Sequence, residues 1–400
     1  MDNLINILGS FNPGWKGKKW VDDFVSIIKE MVIPSYASLG AKVENSKAVF
    51  PGEWSNIVTA LKEAGIFELF VPPEYGSKNA SEEDIYFIME LLGYASPGMG
   101  VIFVSHGRAV DIILQGNDEQ KGKYLSRMTE GAFGAIAMTE KEAGSDAAAI
   151  GLVAERNGAG YLLNGEKIFI SNSGLADIYT VLANTKGVKS PRSLSLFVVE
   201  GSTPNLTVKG LPEKDGLKIL PTGRLIFQNC RVPKRNLVGE EGSGMPTAVN
   251  VIDRGKIHIA GICCGLAYRI FREIHLYTQS REQFDHPLTR SQDISFQLSD
   301  IYTRMTAARG LCFHALKQIG TPYYSLSSAQ AKLFASQMVM EAASKAQILM
   351  GGRGYFRNDL INQLSADARG MEYLEGTSNV QKMLIGKQLF RLYKSKPLPN

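Results

Sequence analysis

An α+β chain, helical at both ends and β in the middle, is what this 400-residue sequence predicts. Three observations carry that expectation. Apolar residues recur at helical spacing from about residue 17 to 130. Short apolar runs punctuated by turn residues fill about 131 to 235. Helical spacing returns after Gly244 and persists. The expected organisation is an N-terminal all-α domain (1–130), a middle β-barrel or sandwich domain (131–235) and a C-terminal four-helix bundle (236–400).

In the first region, Val21, Phe24, Ile28 and Met31 form one stripe, closed off by Pro34. Trp54, Ile57, Val58 and Leu61 form a second, ending near Gly65, and Ile85, Ile88, Leu91 and Leu92 a third. The middle region opens with a short apolar strand, Phe133–Ala137. Tyr161–Leu163 and Glu166–Ser171, joined by Asn164-Gly165, read as a hairpin with a type I′ turn. Tyr179–Ala183, Leu194–Val199 and Arg224–Phe227 add strands. In the last region, stripes run from Ile252 to Ile274, from Ile294 to Met305 and over roughly 326 to 349, and a further helix follows Glu375.

Composition narrows the function classes. The chain is 44% hydrophobic and 21% charged, and its net charge of +5 is scattered without a basic block, so nucleic-acid binding is not expected. No apolar run reaches membrane-span length, because His106, Arg108 and Asp111 interrupt the best candidate. Met1-Asp2-Asn3 opens no secretory pattern and Pro397–Asn400 matches no retention or peroxisomal address, so cytoplasm is the expected location. Four cysteines without paired spacing and five scattered histidines give no metal site. No P-loop, GxGxxG or GxSxG pattern occurs.

Four stretches carry candidate chemistry. In Tyr373–Asn379 a lone acid, Glu375, precedes Gly376, and Thr377 or Ser378 would cap the following helix, whose N-terminus suits an anionic group. Met138–Asp146 follows a strand and offers the Thr139 and Ser145 hydroxyls to a flat polar ligand. In Ser280–Asp285 with Ser291–Asp293, Arg281 suits a phosphate and Gln292 an amide or hydroxyl edge. In Gln347–Gly354, paired glycines either admit a ligand close to backbone or end a helix.

In this order and on this helix–strand–helix plan, AMTEKEAGSD, LNGEKIFISNSG, RVPKRNLVGEEGSG, SREQFDHPLTRSQ, QILMGGRGY and LEGTSNVQ resemble the acyl-CoA dehydrogenase flavoprotein family from about residue 20 onward. The resemblance implies noncovalent FAD. Ile136, Met138, Thr139 and Ser145 would line the ring and its pyrimidine edge, with Phe169 and Ser171 flanking the other side where the family usually has Trp and Thr. Arg281, Phe284 and Gln292, joined by Gln347 and Gly351, would reach an FAD held mainly by a neighbouring subunit, and Thr377 and Asn379 would contact FAD at the helix start. A homodimer or homotetramer follows. Glu375 would remove the α proton of an acyl thioester while the β hydrogen leaves as hydride, with Ser145, Arg254 and Gly376 facing the substrate. Asp253, on the long helix beside Arg254, is the rival base, though a helix-surface acid is its plainer reading.

Lys141, Val251, Asp285 and Leu374 depart from the family's usual proline, acid, glycine and aromatic. They leave open whether the thioester is carried by CoA or by an acyl or peptidyl carrier protein. A nitroalkane-oxidase-like activity and a flavin-less binding protein are the remaining alternatives. The electron acceptor, a flavoprotein or oxygen, also stays open.

Overall fold

The computed structural model describes residues 1–2, 4–6, 18–76 and 80–393. Pro397–Asn400 therefore lies outside the described residues. Among those described, no helix is long and apolar enough to cross a membrane.

The N-terminal helices are α1 (Lys19–Ile27), α2 (Trp54–Glu63), α3 (Glu82–Ala95), α4 (Pro97–Ile113) and α5 (Asp118–Thr129). Pro34 does not close the first helix as expected. A π turn, Ile28–Val32, shifts the ladder so that the Ile33 N–H reaches the Ile28 carbonyl, and helix continues through Pro34 to Ser35. The proline thus removes only a terminal bond. Ser81 and Asp84 form a capping box at α3, and Asn117 and Gln120 another at α5. Helix α4 escaped the periodicity reading because all 17 of its residues are buried. A helix covered on every side has no polar face to set a period.

The middle region is one eight-stranded mixed sheet: β3 (Gly134–Ala137), β4 (Val153–Asn157), β5 (Gly160–Ser171), β6 (Ile178–Asn184), β7 (Leu194–Glu200), β8 (Leu206–Gly210), β9 (Thr222–Pro233) and β10 (Leu237–Val238). The order is β10-β7-β6-β4-β5-β9-β8, with β3 parallel to β6. A small separate hairpin, β1 (Lys42–Glu44) and β2 (Lys47–Val49), packs against β8, with Ser46 Oγ bonded to the Val208 backbone. The expected turn at Asn164-Gly165 is a correction: β5 runs through it unbroken, and the turn lies one strand earlier, between Asn157 and Gly160. Gly165, at φ 135°, instead takes up a bulge against β9. The Asn164 carboxamide accepts from the Asn229 N–H (2.7 Å), so it bridges strands and closes no turn.

The C-terminal helices are α6 (Gly244–Ser280), α7 (Gln292–Lys317), α8 (Tyr324–Leu349), α9 (Leu360–Met371) and α10 (Ser378–Tyr393). A two-residue hairpin, β11 (Glu282–Gln283) and β12 (His286–Pro287), joins α6 to α7. Helix α9 was not expected. Helix α6 packs on α3, α4, α7 and α8, so one 37-residue rod ties the N-terminal helices to the bundle.

Candidate active site

Glu375 sits in the turn between α9 and α10 with φ at 51°. That left-handed conformation costs a non-glycine residue about 1–2 kcal/mol and persists only where neighbours fix it. Two buried side chains do so. Lys332 on α8 donates to the carbonyls of Gly376 (2.9 Å) and Glu372 (3.1 Å), and Gln381 on α10 donates to those of Glu375 (2.9 Å) and Gly376 (3.0 Å). Thr377 caps α10 through the Val380 N–H (3.3 Å), as the spacing suggested. The Glu375 N–H makes no hydrogen bond among the described residues.

The carboxyl of Glu375 packs over Gly255 on α6. A Cβ added to Gly255 would lie 2.7 Å from Glu375 Cδ, 2.8 Å from Glu375 Oε2 and 2.8 Å from Arg108 Nη1. Only glycine leaves room there. Burial raises the Glu375 pKa above the ordinary carboxylate value, and Arg108, Lys256 and Lys332 pull it back. Burial also pushes Lys332 down to about 8.

Asp253, the rival base, is 4% exposed and holds Lys256 at 2.5 Å, so it is not a surface acid. Arg254, expected to face substrate, is held by Glu82 (2.6 Å) and Asp111. The basic groups that act on Glu375 are Arg108, Lys256 and Lys332. Sequence reasoning missed all three. Arg108 had a signal: it stands with His106 and Asp111 inside an otherwise apolar run, which a purely structural helix has no reason to carry.

The second stretch lies at the mouth of the sheet. Ile136, Met138 and Thr139 continue from β3, half-buried. Lys167, fully buried with its pKa pushed down to about 8, donates to the Met138 carbonyl (2.9 Å) and pairs with Glu140 (2.7 Å). Glu140 in turn accepts from the N–H groups of Gly151 (2.7 Å) and Leu152 (3.0 Å). The Ile168 N–H bonds the Thr139 carbonyl (2.8 Å), which brings Met138 and Thr139 beside Phe169. At Phe169 the register with β9 shifts, φ is 57° and the side chain is 64% exposed. A planar ring is thereby offered at the sheet edge. Ser171 is half-buried and Ser145 exposed in its loop.

The remaining residues gather elsewhere. Phe284 and Asp285 form the turn between β11 and β12 at φ 53° and 60°. Asp285 thus adopts the backbone that a glycine would adopt freely. Arg281, Phe284 and Gln292 are exposed there. Arg353 lies over the Tyr277 ring (5.5 Å), tying the Gly351–Tyr355 turn to that end of α6. Gln347 donates to Asn362 (2.5 Å) and Gly351, at φ 57°, ends α8. From Gly255 to Arg281 the helix rises by about 39 Å at about 1.5 Å per residue. Glu375 and the Arg281 group therefore lie far apart along α6, while Thr377 and Asn379 stay with Glu375.

A half-buried acid with a raised pKa, a free N–H at the same residue, an exposed aromatic face and a helix N-terminus are parts suited to a flavin oxidoreductase acting on a carbonyl-activated C–H bond. Comparison with known proteins agrees. Family models for acyl-CoA dehydrogenase match in three parts: the N-terminal domain over 22–132, the middle domain over 135–230 and the C-terminal domain over 242–390. The short-chain-specific acyl-CoA dehydrogenase of Clostridium acetobutylicum is 32% identical, covering 91% of this chain and 96% of its own. The butyryl-CoA dehydrogenase structure from Megasphaera elsdenii aligns with a TM-score of 0.86 at 30% identity, over 94% of this chain and 98% of that one. A chain in a structure of the electron transferring flavoprotein of Acidaminococcus fermentans aligns at 0.85 and 31% identity, over 92% of this chain and 96% of that one.

The class is thus an FAD-dependent oxidoreductase acting on CH–CH bonds. The chain belongs to the acyl-CoA dehydrogenase family.

Proposed function

We propose that the protein introduces an α,β double bond into an acyl-CoA, with Glu375 as the base. The observation that carries this reading is the desolvated Glu375 carboxyl beside its own unbonded N–H. An α C–H next to a thioester is acidic only while its carbonyl oxygen is hydrogen-bonded and water is excluded. In this reading the Glu375 N–H donates to that oxygen, and the carboxylate, made more basic by burial, takes the α proton. FAD, when bound, supplies the acceptor for the β hydride. Phe169, Met138, Thr139, Ser145 and Ser171 would hold its ring, and Thr377 and Asn379 its contact at the α10 start.

We infer that the Arg281, Phe284, Gln292, Gln347 and Gly351 group serves the FAD of a second copy. Its separation from Glu375 supports this, as does the solvent exposure of Phe284 (92%), Tyr355 (91%) and Phe356 (69%) at the same end. Division near residue 131 follows the change from helix to sheet, but the second boundary falls later than 236, after β10 and before α6 opens at Gly244, because β10 pairs with β7. The four cysteines are buried and unpaired, which suits a reducing compartment such as the cytoplasm. Transfer of electrons to an electron-transferring flavoprotein is the favoured fate, on the likeness to the Acidaminococcus structure.

Anaerobic mixing of FAD-loaded protein with butyryl-CoA, and separately with butyryl on a phosphopantetheinyl carrier protein, tests the reading. Flavin bleaching by butyryl-CoA is the expected result. Bleaching by the carrier-bound group alone would move the substrate to a carrier protein, and bleaching by neither would remove the dehydrogenase reading.

A further inference from the structure

Lys332 is buried on α8 without an acid to hold. Lys167 and Lys256 lie comparably deep, and each meets a carboxylate, Glu140 at 2.7 Å and Asp253 at 2.5 Å. Among the described residues, the Lys332 ammonium bonds only the carbonyls of Glu372 (3.1 Å) and Gly376 (2.9 Å). A lysine at full burial is ordinarily paired, because an unanswered charge there costs more than neutral acceptors return.

The carbonyls alone do not account for a charge at this place. Gln381, which is neutral, grips the same turn from α10 through the carbonyls of Glu375 (2.9 Å) and Gly376 (3.0 Å). The ionisable groups that act on Lys332 are Glu372 and Glu375 in the turn and Cys263 and Lys256 on α6. Glu372 is engaged by Arg369 (2.6 Å), burial keeps the Cys263 thiol protonated, and Lys256 carries the same sign. Of these, Glu375 is the acid left to answer Lys332. Glu375 in turn feels Arg108 and Asp111 on α4 and Lys256 on α6.

Resting on the dehydrogenase reading, we propose that Lys332 is a positioning residue for the base. It grips the turn on both sides of Glu375, at Glu372 and Gly376, and its charge holds the carboxyl ionised in readiness for the α proton. The bonds fix where the carboxyl stands, and the charge offsets the burial that favours the protonated acid. Lys332 keeps its own proton at neutral pH, since burial brings it down only to about 8.

Three variants separate grip from charge. Lys332→Met removes both, Lys332→Arg keeps the charge, and Gln381→Met loosens the turn without altering any charge. Two readouts are taken on FAD-loaded protein while Lys332 stays protonated. One is the rate of flavin reduction by saturating butyryl-CoA. The other is the protonation midpoint of Glu375, followed by the infrared carboxylic-acid band that Glu375→Gln lacks. Lys332→Met should slow reduction at least about tenfold, the scale of a hydrogen bond to a charged group, and move the midpoint to higher pH. The shift should be smaller than Arg108→Leu produces, because Arg108 acts on Glu375 more strongly. Lys332→Arg should keep the wild-type midpoint, and Gln381→Met should slow reduction without moving it. If Lys332→Met does not hold FAD, Lys332→Gln, which keeps a donor and drops the charge, should show the same upward midpoint. An unmoved midpoint in the neutral variants, with the wild type bleached normally, overturns the proposal and leaves the dehydrogenase standing, Lys332 being then a structural grip alone. A midpoint displaced equally in Lys332→Arg overturns it too. An upward midpoint in Lys332→Met, with no bleaching of the wild type by butyryl-CoA, removes the dehydrogenase reading and keeps the tie between Lys332 and Glu375.

Discussion

The two ends of α6 are built on opposite principles. Near Gly255, the charged groups are buried or half-buried and most are paired within the chain: Lys256 with Asp253, Arg254 with Glu82 and Asp111, Lys332 with backbone carbonyls. Near Arg281, a positively charged side chain, a 92% exposed phenylalanine and the helix-ending Gly351 face solvent. Both ends use left-handed residues to aim side chains, Glu375 at one and Phe284 at the other. One is held by Lys332 and Gln381, the other by the short β11–β12 hairpin. A buried end can set a pKa because water is absent; an exposed end can only recruit what comes to it. In the proposed reading, the base is a property of the single chain, and the far end of the cofactor a property of the assembly.

The sharpest way to break that division is at Glu375. Replacement by Gln should lower the rate of flavin reduction by butyryl-CoA by about 10²–10⁴-fold, the range for removal of a general base, with thermal stability little changed. Rapid-mixing absorbance reads it.

Gly255→Ala comes next. Its new methyl would meet Glu375 and Arg108 at 2.7–2.8 Å, so the carboxyl must shift from its place. A displacement of that size should cost about tenfold or more in kcat, with loss of about 1–3 kcal/mol of stability from overpacking, read by steady-state kinetics and denaturant unfolding.

At the other end, Arg281→Ala should leave the Glu375 surroundings intact and loosen FAD. The loss corresponds to a charge-assisted bond, about tenfold in FAD dissociation, read by fluorescence of released flavin during dilution. If FAD affinity is untouched while flavin reduction falls, the assignment of the two ends is reversed.

The smallest effect is a pH shift. Burial raises the Glu375 pKa, and only the ionised form accepts the α proton, so the acid limb of kcat/KM should lie above the ordinary value of 4.5. Arg108 lowers that pKa in the wild type, so Arg108→Leu should move the limb to higher pH. A limb that moves down would mean that Arg108 does not act on Glu375.

Much of this was legible in the residues. Thr377 as cap, Glu375 in the preceding turn and Gln292 at a helix start are short-range features, and the structure places each of them so. The reading went astray where long-range packing decides. Asn164-Gly165 has hairpin chemistry, yet β9 holds β5 straight through it. Asp253 looked like a surface acid because i, i+3 pairing with Lys256 in a buried setting needs the third dimension to appear. The fully buried α4 offered no period at all, and with it went Arg108. Gly255 was passed over as one glycine among 40, because its role is set by a side chain 120 residues later in the sequence.

The most direct measurement is exchange of the α hydrogen itself. FAD-loaded protein is held anaerobically in deuterated water with a saturated acyl-CoA, and NMR follows deuterium entering the α position. Exchange catalysed by the wild type and abolished in Glu375→Gln is expected. Exchange that survives in Glu375→Gln at the wild-type rate would mean that another group takes the proton, and the site as described here would be wrong.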